Sequence, residues 1–268
     1  MNYSGLKIWL LLYIWQKQTT NLRRNLKNRI FIVLIIVMLF ASCQVTETIH
    51  IKEDGSGNIE IIKLRDEQSY MQLAGENYSK EEKFVDTTYV FKDFITKYSE
   101  TFSKLTPEEK AVFQKFENAN VHIKQSSYEK EFRTTISQNF KTIEEVPDLY
   151  KTGEYASDIE HNYALSAEEH YYSIRYTFGG SHFKRIVKIT DSVELQKQQE
   201  RIVKAKTQLA KIKINETYVL NYHFPRKIKS VSNSNAKISE DKKSLKLQFL
   251  LSDCLQNPEI TNLEVVLE

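Results

Sequence analysis

Apolar and polar residues alternate along several stretches of the chain, and this alternation predicts β-strands. In the stretch from Glu131 to Phe140, EFRTTISQNF, one set of alternate residues is Phe, Thr, Ile, Gln and Phe, and the other is Arg, Thr, Ser and Asn. The same period of two recurs in YYSIRYTF, TYVLNYHF and SLKLQFLL. It gives a strand one buried and one wetted face, which is typical of antiparallel sheets. Turn sequences around Asp54–Gly57, Ser126–Ser127 and Gly179–Gly180 predict hairpins.

Three other stretches carry helical patterns. Large apolar residues recur at intervals of three and four over 91–102, which predicts an amphipathic helix. Next, Thr106 is placed as an N-cap with Glu109 as its capping-box partner, so a second helix is predicted from Pro107. A third helix is predicted from Asp191 or Ser192 through VELQKQQERIVKAKTQLAKIK, and its lysine-rich end complements the helix dipole. The apolar stripe of the first helix consists of Phe91, Phe94, Ile95, Tyr98 and Phe102.

Strands with interspersed helices indicate an α+β fold built mainly from antiparallel hairpins. The helix over 191–214 is expected to connect two parts. The part before it, 43–190, is expected to be an α+β domain of hairpins and helices. The part after it, 215–268, is expected to be an all-β C-terminal subdomain, with Pro225 ending its first strand and Ser232–Asn235 forming a turn. The segment 1–42 has a different pattern.

The run from Ile30 to Ala41 contains no polar residue. At about 1.5 Å per residue a helix over this run covers roughly 18 Å, which is well short of the roughly 30 Å hydrocarbon core of a bilayer. Four cations precede it, at positions 23, 24, 27 and 29. A basic flank followed by a short apolar run predicts a secretory signal peptide rather than a membrane span, so 1–42 is expected to be a removed prefix and signal.

The apolar run ends in Leu39-Phe40-Ala41-Ser42-Cys43, which resembles the lipobox of bacterial lipoproteins. The resemblance implies that the Cys43 thiol receives a diacylglyceryl group and that signal peptidase II cleaves between Ser42 and Cys43. One buried chain anchors only marginally, at about 0.8 kcal/mol per methylene, whereas two or three chains anchor stably. The alternative is an ordinary signal peptide in which Cys43 is incidental, although Phe40 would suit the usual A-x-A site poorly.

The net charge changes sign when the predicted prefix and signal, residues 1–42, are left out. The whole chain carries a formal charge of +3, but six of its 38 basic residues and none of its 35 acidic residues lie in 1–42. The 226 residues from Cys43 onward therefore carry 32 basic and 35 acidic side chains, a net charge of −3. This balance gives no support for nucleic-acid binding. If Cys43 is lipidated, Cys254 has no disulfide partner and is expected to be a small buried residue.

Local catalytic and metal-binding motifs are weak. Asp54, Ser56 and Asn58 have the spacing that opens a calcium loop, but the later loop positions do not fit, so a hairpin turn is favoured. Ser181 and His182 follow two glycines without forming a nucleophile elbow, and as neighbours on a strand they are expected to point to opposite faces. No catalytic residue, metal site or cofactor is predicted.

The remaining polar candidates have structural explanations. None of the six histidines shows metal-ligand spacing, and three of them are expected to be solvated on polar strand faces, namely His50, His122 and His223. The acidic pairs at 108–109 and 144–145 are expected to lie in first turns of helices, where they complement the dipole.

The C-terminal part also resembles the LppM-type lipoprotein domain over about thirty residues. The match rests on the order strand, Phe-Pro, short strand, polar turn and strand, with Arg226 where the pattern has Gly. The resemblance implies an envelope lipoprotein with an α/β domain and a hydrophobic pocket, not an enzyme. The matching residues are Tyr218, Leu220, Phe224, Pro225, Ile228 and the strand from Ser244 to Phe249.

These observations predict a lipid-anchored envelope protein of a Gram-negative bacterium with a periplasm-facing binding or scaffolding role. Gln44 replaces the Asp that retains similar lipoproteins at the inner membrane, which favours the outer membrane. The expected partners are the membrane, through Cys43, and an envelope protein or hydrophobic ligand. The alternatives are a carrier of lipid or another hydrophobic ligand, and a tethered hydrolase whose site is assembled from distant residues.

Overall fold

The computed structural model describes residues 43–65, 67–80, 84–161, 171–208 and 216–268. The predicted signal and prefix, including Leu39 to Ser42, lie outside this part. Within it, the strands in chain order are β1 (Cys43–Ile51), β2 (Gly57–Arg65), β3 (Phe84–Val90), β4 (Asn120–Ser126), β5 (Glu131–Phe140), β6 (Tyr172–Gly179), β7 (His182–Ile189), β8 (Thr217–His223), β9 (Ile228–Val231), β10 (Lys237–Ile238), β11 (Ser244–Leu250) and β12 (Leu263–Leu267).

The described helices connect these strands. The α-helices are α1 (Glu67–Ala74), α2 (Phe91–Lys97), α3 (Ser99–Ser103), α4 (Pro107–Gln114), α5 (Thr152–His161), α6 (Ser192–Gln208) and α7 (Leu251–Gln256). Short 3₁₀ helices span Gly75–Lys80, Ile143–Glu145, Leu149–Lys151 and Pro258–Thr261. Among the described residues, no helix is long and apolar enough to cross a bilayer.

The strands form two sheets. The large sheet has eight strands in the order β10-β11-β8-β1-β2-β5-β4-β3, and the small sheet has four in the order β6-β7-β12-β9. All three predicted hairpins are present as the antiparallel pairs β1–β2, β4–β5 and β6–β7. The expected α+β fold is confirmed. One pairing departs from the antiparallel rule, since β1 runs parallel to β8.

The alternating residues face a shared core. Ile49, Ile59, Ile61 and Ile136 of the large sheet are at most 1% exposed, as is Phe183 of the small sheet. A second group of rings packs beneath the helices: Phe113 lies 4.9 Å from Tyr155 and 6.3 Å from Phe91, measured between ring centroids. The aromatic residues that the sequence assigned to buried strand faces and helix stripes therefore supply much of the core.

The predicted helix over 91–102 is divided into two. α2 ends at Lys97, α3 begins at Ser99, and Tyr98 between them has φ −106° and ψ 35°, outside the helical region. The apolar stripe survives this break because Tyr98 and Phe102 still pack against the core. The predicted capping box is confirmed: Glu109 N–H donates to Thr106 Oγ1 at 3.2 Å, and Thr106 N–H donates to Glu109 Oε2 at 2.7 Å.

The third helix begins as predicted, but it does not separate two compact units. Asp191 caps α6, accepting N–H bonds from Val193 and Glu194 at 2.8 and 2.9 Å. The described residues from Cys43 onward form one compact unit, in which β8 lies between β1 and β11, and β12 lies between β7 and β9. The expected all-β tail also contains α7 and a 3₁₀ turn. Strand pairing therefore joins the tail to both sheets, across the expected boundaries at 190 and 215.

Candidate functional site

The predicted lipidation position, Cys43, is the first residue of β1. Its backbone is paired with Arg65 of β2, and the next residue, Gln44, is paired with Thr217 of β8. β1 is thus held by strands on both sides from its first residues. The predicted cleavage bond between Ser42 and Cys43 and the rest of the lipobox lie outside the described residues.

β1 is fixed in the core by a buried ion pair four residues farther along. Glu47 of β1 and Arg185 of β7 are 0% and 2% exposed, and they connect the two sheets. Arg185 Nε donates to Glu47 Oε1 at 3.2 Å, and Nη2 donates to Glu47 Oε2 at 3.3 Å.

Three tyrosine hydroxyls complete this arrangement, which we call the Glu47 cluster: Glu47, Arg185, Tyr150, Tyr218 and Tyr222. Tyr222 donates to Glu47 Oε1 at 2.5 Å, and Tyr150 donates to Oε2 at 2.8 Å. The Tyr218 hydroxyl lies 2.6 Å from that of Tyr150 and 3.2 Å from Glu47 Oε2.

All five donor positions of the Arg185 guanidinium have an acceptor. Besides Glu47, Nη2 donates to the Tyr218 hydroxyl at 2.7 Å, and Nη1 donates to Thr261 Oγ1 and the Thr261 carbonyl at 2.6 and 3.2 Å. A buried charge is tolerated only when it is paired and its hydrogen bonds are satisfied. This cluster meets both conditions.

The charges of the pair stabilise each other against burial. Burial alone would raise the pKa of Glu47, but the charge and hydrogen bonds of Arg185 outweigh it, so the pKa is lowered from its usual 4.5. Burial likewise opposes the charge on Arg185, and Glu47 outweighs it, so the pKa of Arg185 is raised. Both residues are therefore ionised at neutral pH.

The Glu47 cluster has a structural role. Burial raises the pKa values of Tyr150, Tyr218 and Tyr222 well above 10, so these hydroxyls remain neutral donors. With Glu47 and Arg185 shielded from solvent, the cluster joins the sheets and fixes the side-chain register of β1.

Sequence analysis did not single out Glu47 or Arg185, although a pattern marks each. Glu47 occurs in phase with Val45, Ile49 and Ile51, and Arg185 occurs in phase with Phe183 and Val187. A charged residue on the apolar face of an alternating strand indicates a buried partner. The two residues are 138 positions apart, so the pattern does not identify the partner.

The Ser181–His182 expectation needs a correction. These residues lie at the β6–β7 turn, where Ser181 Oγ is 3.3 Å from His182 Nδ1. They meet because Ser181 lies in the turn before β7 begins, so strand alternation does not separate the two side chains. The hairpin itself is as predicted, and His182 is exposed.

Of the three strand histidines, His50 is exposed as predicted, whereas His122 and His223 are only partly exposed. The rings of His50 and His223 stack with centroids 4.1 Å apart, because β1 and β8 pair in register there. Partial burial, followed by the nearby His50, lowers the pKa of His223. His122 Nε2 lies 2.9 Å from Asp86 Oδ1 on the neighbouring strand.

The Asp54 loop is a hairpin turn, as predicted. Asp54 Oδ1 accepts the Ser56 N–H at 3.0 Å and the Ser56 hydroxyl at 2.7 Å, so the carboxylate bonds within its own turn. These bonds lower the pKa of Asp54. Glu108 and Glu144 lie in first turns of α4 and a 3₁₀ helix, as predicted, and Glu144 also accepts the Phe178 N–H at 2.6 Å. No group of three metal-ligating side chains occurs within the described ranges.

Cys254 lies in α7 and is a buried free thiol, as predicted. Burial raises its pKa to about 12, which makes it a poor nucleophile at neutral pH.

A cleft of about 430 Å³ lies on the outer face of the small sheet, between residues of β6 and β7. It combines two cationic side chains with hydroxyl and apolar groups. Its lining residues are Ser173, Arg175, Ile186, Lys188, Ile189 and Thr190.

Comparisons with known proteins give one structural neighbour. No protein-family model matches the chain, and no curated protein sequence matches it. The NMR structure of the folded domain of LppM from Mycobacterium tuberculosis is similar at a TM-score of 0.38 and 11% identity, covering 85% of this chain and 90% of that one. The neighbour is of the LppM type suggested by the C-terminal residues, and at this TM-score it assigns no residue a role.

Proposed function

We propose that this protein is an envelope lipoprotein, cleaved between Ser42 and Cys43 and anchored by acyl chains on Cys43, with a non-catalytic binding or scaffolding role. The observation that carries the proposal is the position of Cys43 as both the last residue of the lipobox-like sequence and the first residue of β1. The acyl chains would then be attached to a central strand of the large sheet.

The absence of a linker between Cys43 and β1 limits the distance between the folded domain and the membrane. A flexible linker of n residues would let it move roughly 5–6 Å × √n from the membrane. Here β1 is paired from Cys43 onward, so the folded body would lie directly on the lipid surface. Such an anchor suits a protein that presents a rigid surface at a fixed height.

The interior favours scaffolding over carriage of a hydrophobic ligand. Between β1 and β7 the space is filled by the Glu47 cluster and by ring contacts of Phe183 with Tyr222 and Phe224, at centroid distances of 5.2 and 5.4 Å. For location, we propose the periplasmic leaflet of the outer membrane of a Gram-negative cell, since Gln44 is not the Asp associated with inner-membrane retention.

Metabolic labelling with a fatty-acid analogue tests the anchor. Cys43→Ala should abolish both the label and membrane association. Cys254→Ala is the matched control, because it removes the other cysteine of the chain and should leave the label unchanged. Label that persists in Cys43→Ala, or that disappears in Cys254→Ala, would refute acylation at Cys43.

A further inference from the structure

Two of the most exposed large apolar side chains lie at the end of the large sheet where β1 begins. Tyr128 is 99% exposed at the tip of the β4–β5 hairpin, and Leu250 is 59% exposed as the last residue of β11. Isolated exposed apolar residues are common and need no explanation. The position of these two relative to Cys43 makes them informative.

Strand directions place Tyr128, Leu250 and Cys43 at one end of the sheet, which we call the anchor edge. β8 is parallel to β1 and β11 is antiparallel to β8, so β11 ends where β1 begins, and Leu250 pairs with Thr217 next to Gln44. On the other side β2, β5 and β4 follow in antiparallel order, so the β4–β5 turn also points to this end.

The anchor edge is narrow enough to meet one surface. Strands are spaced about 4.8 Å apart, so β11 and β5, each two strands from β1, lie about 10 Å on either side of it. Sheet twist of about 20–25° per strand turns each of them by only about 40–50° relative to β1. Phe84 is 72% exposed at the start of β3, which is four strands away from β1. β3 is therefore turned by about 80–100° relative to β1, and Phe84 does not face the same surface.

The chemistry of the hairpin tip suits a lipid interface. Tyrosine is favoured at the headgroup level because its ring is apolar and its hydroxyl is wet. The acidic neighbours Glu129 and Glu131 both pair with Lys124, at 2.6 and 3.0 Å, and Glu131 also pairs with Arg133 at 3.2 Å. The remaining charged residue of the tip, Lys130, is exposed. A cation at this position favours anionic headgroups.

We propose that Tyr128 and Leu250 enter the headgroup region of the bilayer on either side of the acyl chains of Cys43, so that the body stands with β1 roughly along the membrane normal. This inference rests on the proposed acylation of Cys43. It adds a second and third contact to the lipid anchor and thereby fixes the orientation of the body. The opposite end of the sheet then faces away from the membrane.

The natural tryptophans make a clean experiment possible. Both of them, Trp9 and Trp15, precede Cys43, so the processed protein contains none. Tyr128→Trp and Leu250→Trp each introduce a single fluorophore at the anchor edge. Ile238→Trp is the matched control, because Ile238 is 44% exposed but lies far from the anchor edge. Ile238 is paired with Leu245, Leu245 with Tyr222, and Tyr222 with Ile49, so these residues lie side by side across the sheet. Ile49 is about 20 Å along β1 from Cys43.

The three variants are expressed as full chains, purified after processing and reconstituted into phosphatidylethanolamine–phosphatidylglycerol vesicles with or without lipids brominated near the headgroup. Intact mass first establishes whether each protein carries acyl chains. The brominated lipid should reduce emission at least twofold for Tyr128→Trp and Leu250→Trp and by less than a fifth for Ile238→Trp.

The outcomes separate the two proposals. Acylated protein with unquenched Trp at both 128 and 250 would overturn the insertion and leave the anchor intact, which would point to a protein partner at this edge. Equal quenching at 238 would overturn the orientation. Protein without acyl mass would overturn both the anchor and the inference that rests on it.

Discussion

Arg185→Met removes the positive charge from the Glu47 cluster and leaves a side chain of similar length. The five hydrogen bonds of the guanidinium are lost together, two of them to Glu47. Glu47 is then a buried carboxylate that retains only neutral tyrosine donors. Removal of one partner from a buried ion pair typically costs about 3–5 kcal/mol.

That cost is large relative to the total stability of a domain, about 5–15 kcal/mol. With a urea dependence of about 2–3 kcal/mol per molar, the unfolding midpoint should fall by about 1–2.5 M at pH 7. The variant should still fold, because the buried apolar residues of both sheets form an extensive core.

The loss should depend on pH in a defined direction. In the wild type the pKa of Glu47 is lowered from 4.5, so its ionisation contributes stability that is present above pH 4.5 and is lost as the pH falls through the folded pKa. Without Arg185, burial raises the pKa of Glu47, so the variant loses stability as the pH rises above 4.5. The stability gap should therefore widen from pH 4 to pH 7.

Urea unfolding at several pH values, followed by circular dichroism, measures this gap. Arg175→Met is the matched control, because Arg175 is on the neighbouring strand of the same sheet but exposed, and it should change stability by less than about 0.5 kcal/mol. A cost below about 1 kcal/mol for Arg185→Met, or a cost independent of pH, would refute the reasoning.

Two further changes test other parts of the fold. Burial raises the pKa of Asp148 from 3.8 to about 6, although the carboxylate accepts N–H bonds from Tyr150 and Ile174. Between pH 4 and 6 the wild type should therefore lose about 2–3 kcal/mol of stability relative to Asp148→Asn. A stability difference between the two proteins that stays constant with pH in urea unfolding would contradict this. Gly57→Ala should lower stability by about 1–3 kcal/mol in thermal unfolding, because the added Cβ would lie 1.9 Å from the backbone carbonyl oxygen of His50 on β1. Gly153→Ala, with open space around its Cβ, should be neutral or stabilising. Equal effects of the two glycine substitutions would refute that explanation.

Local patterns predicted the elements of the fold well. Alternation identified the strands that became β5, β6, β8 and β11, and turn residues identified three hairpins, because both depend on residues close in sequence. The capping box at Thr106 and the start of a helix at Asp191 or Ser192 were predicted for the same reason.

Features that depend on distant residues were not predicted. The parallel pairing of β1 with β8 joins residues more than 170 positions apart, on opposite sides of the boundary that the intervening helix suggested. The same pairing stacks His50 on His223 and partly buries His223, which alternation alone had placed in solvent. The break at Tyr98 was missed because the apolar stripe continues through it.

The mature amino terminus tests the central claim most directly. Tryptic digestion of the membrane-extracted protein, followed by mass spectrometry, should yield a first peptide from Cys43 to Lys52 that carries the added mass of acyl chains. A first peptide that begins at any other residue, or the Cys43 peptide without added hydrocarbon, would contradict the account.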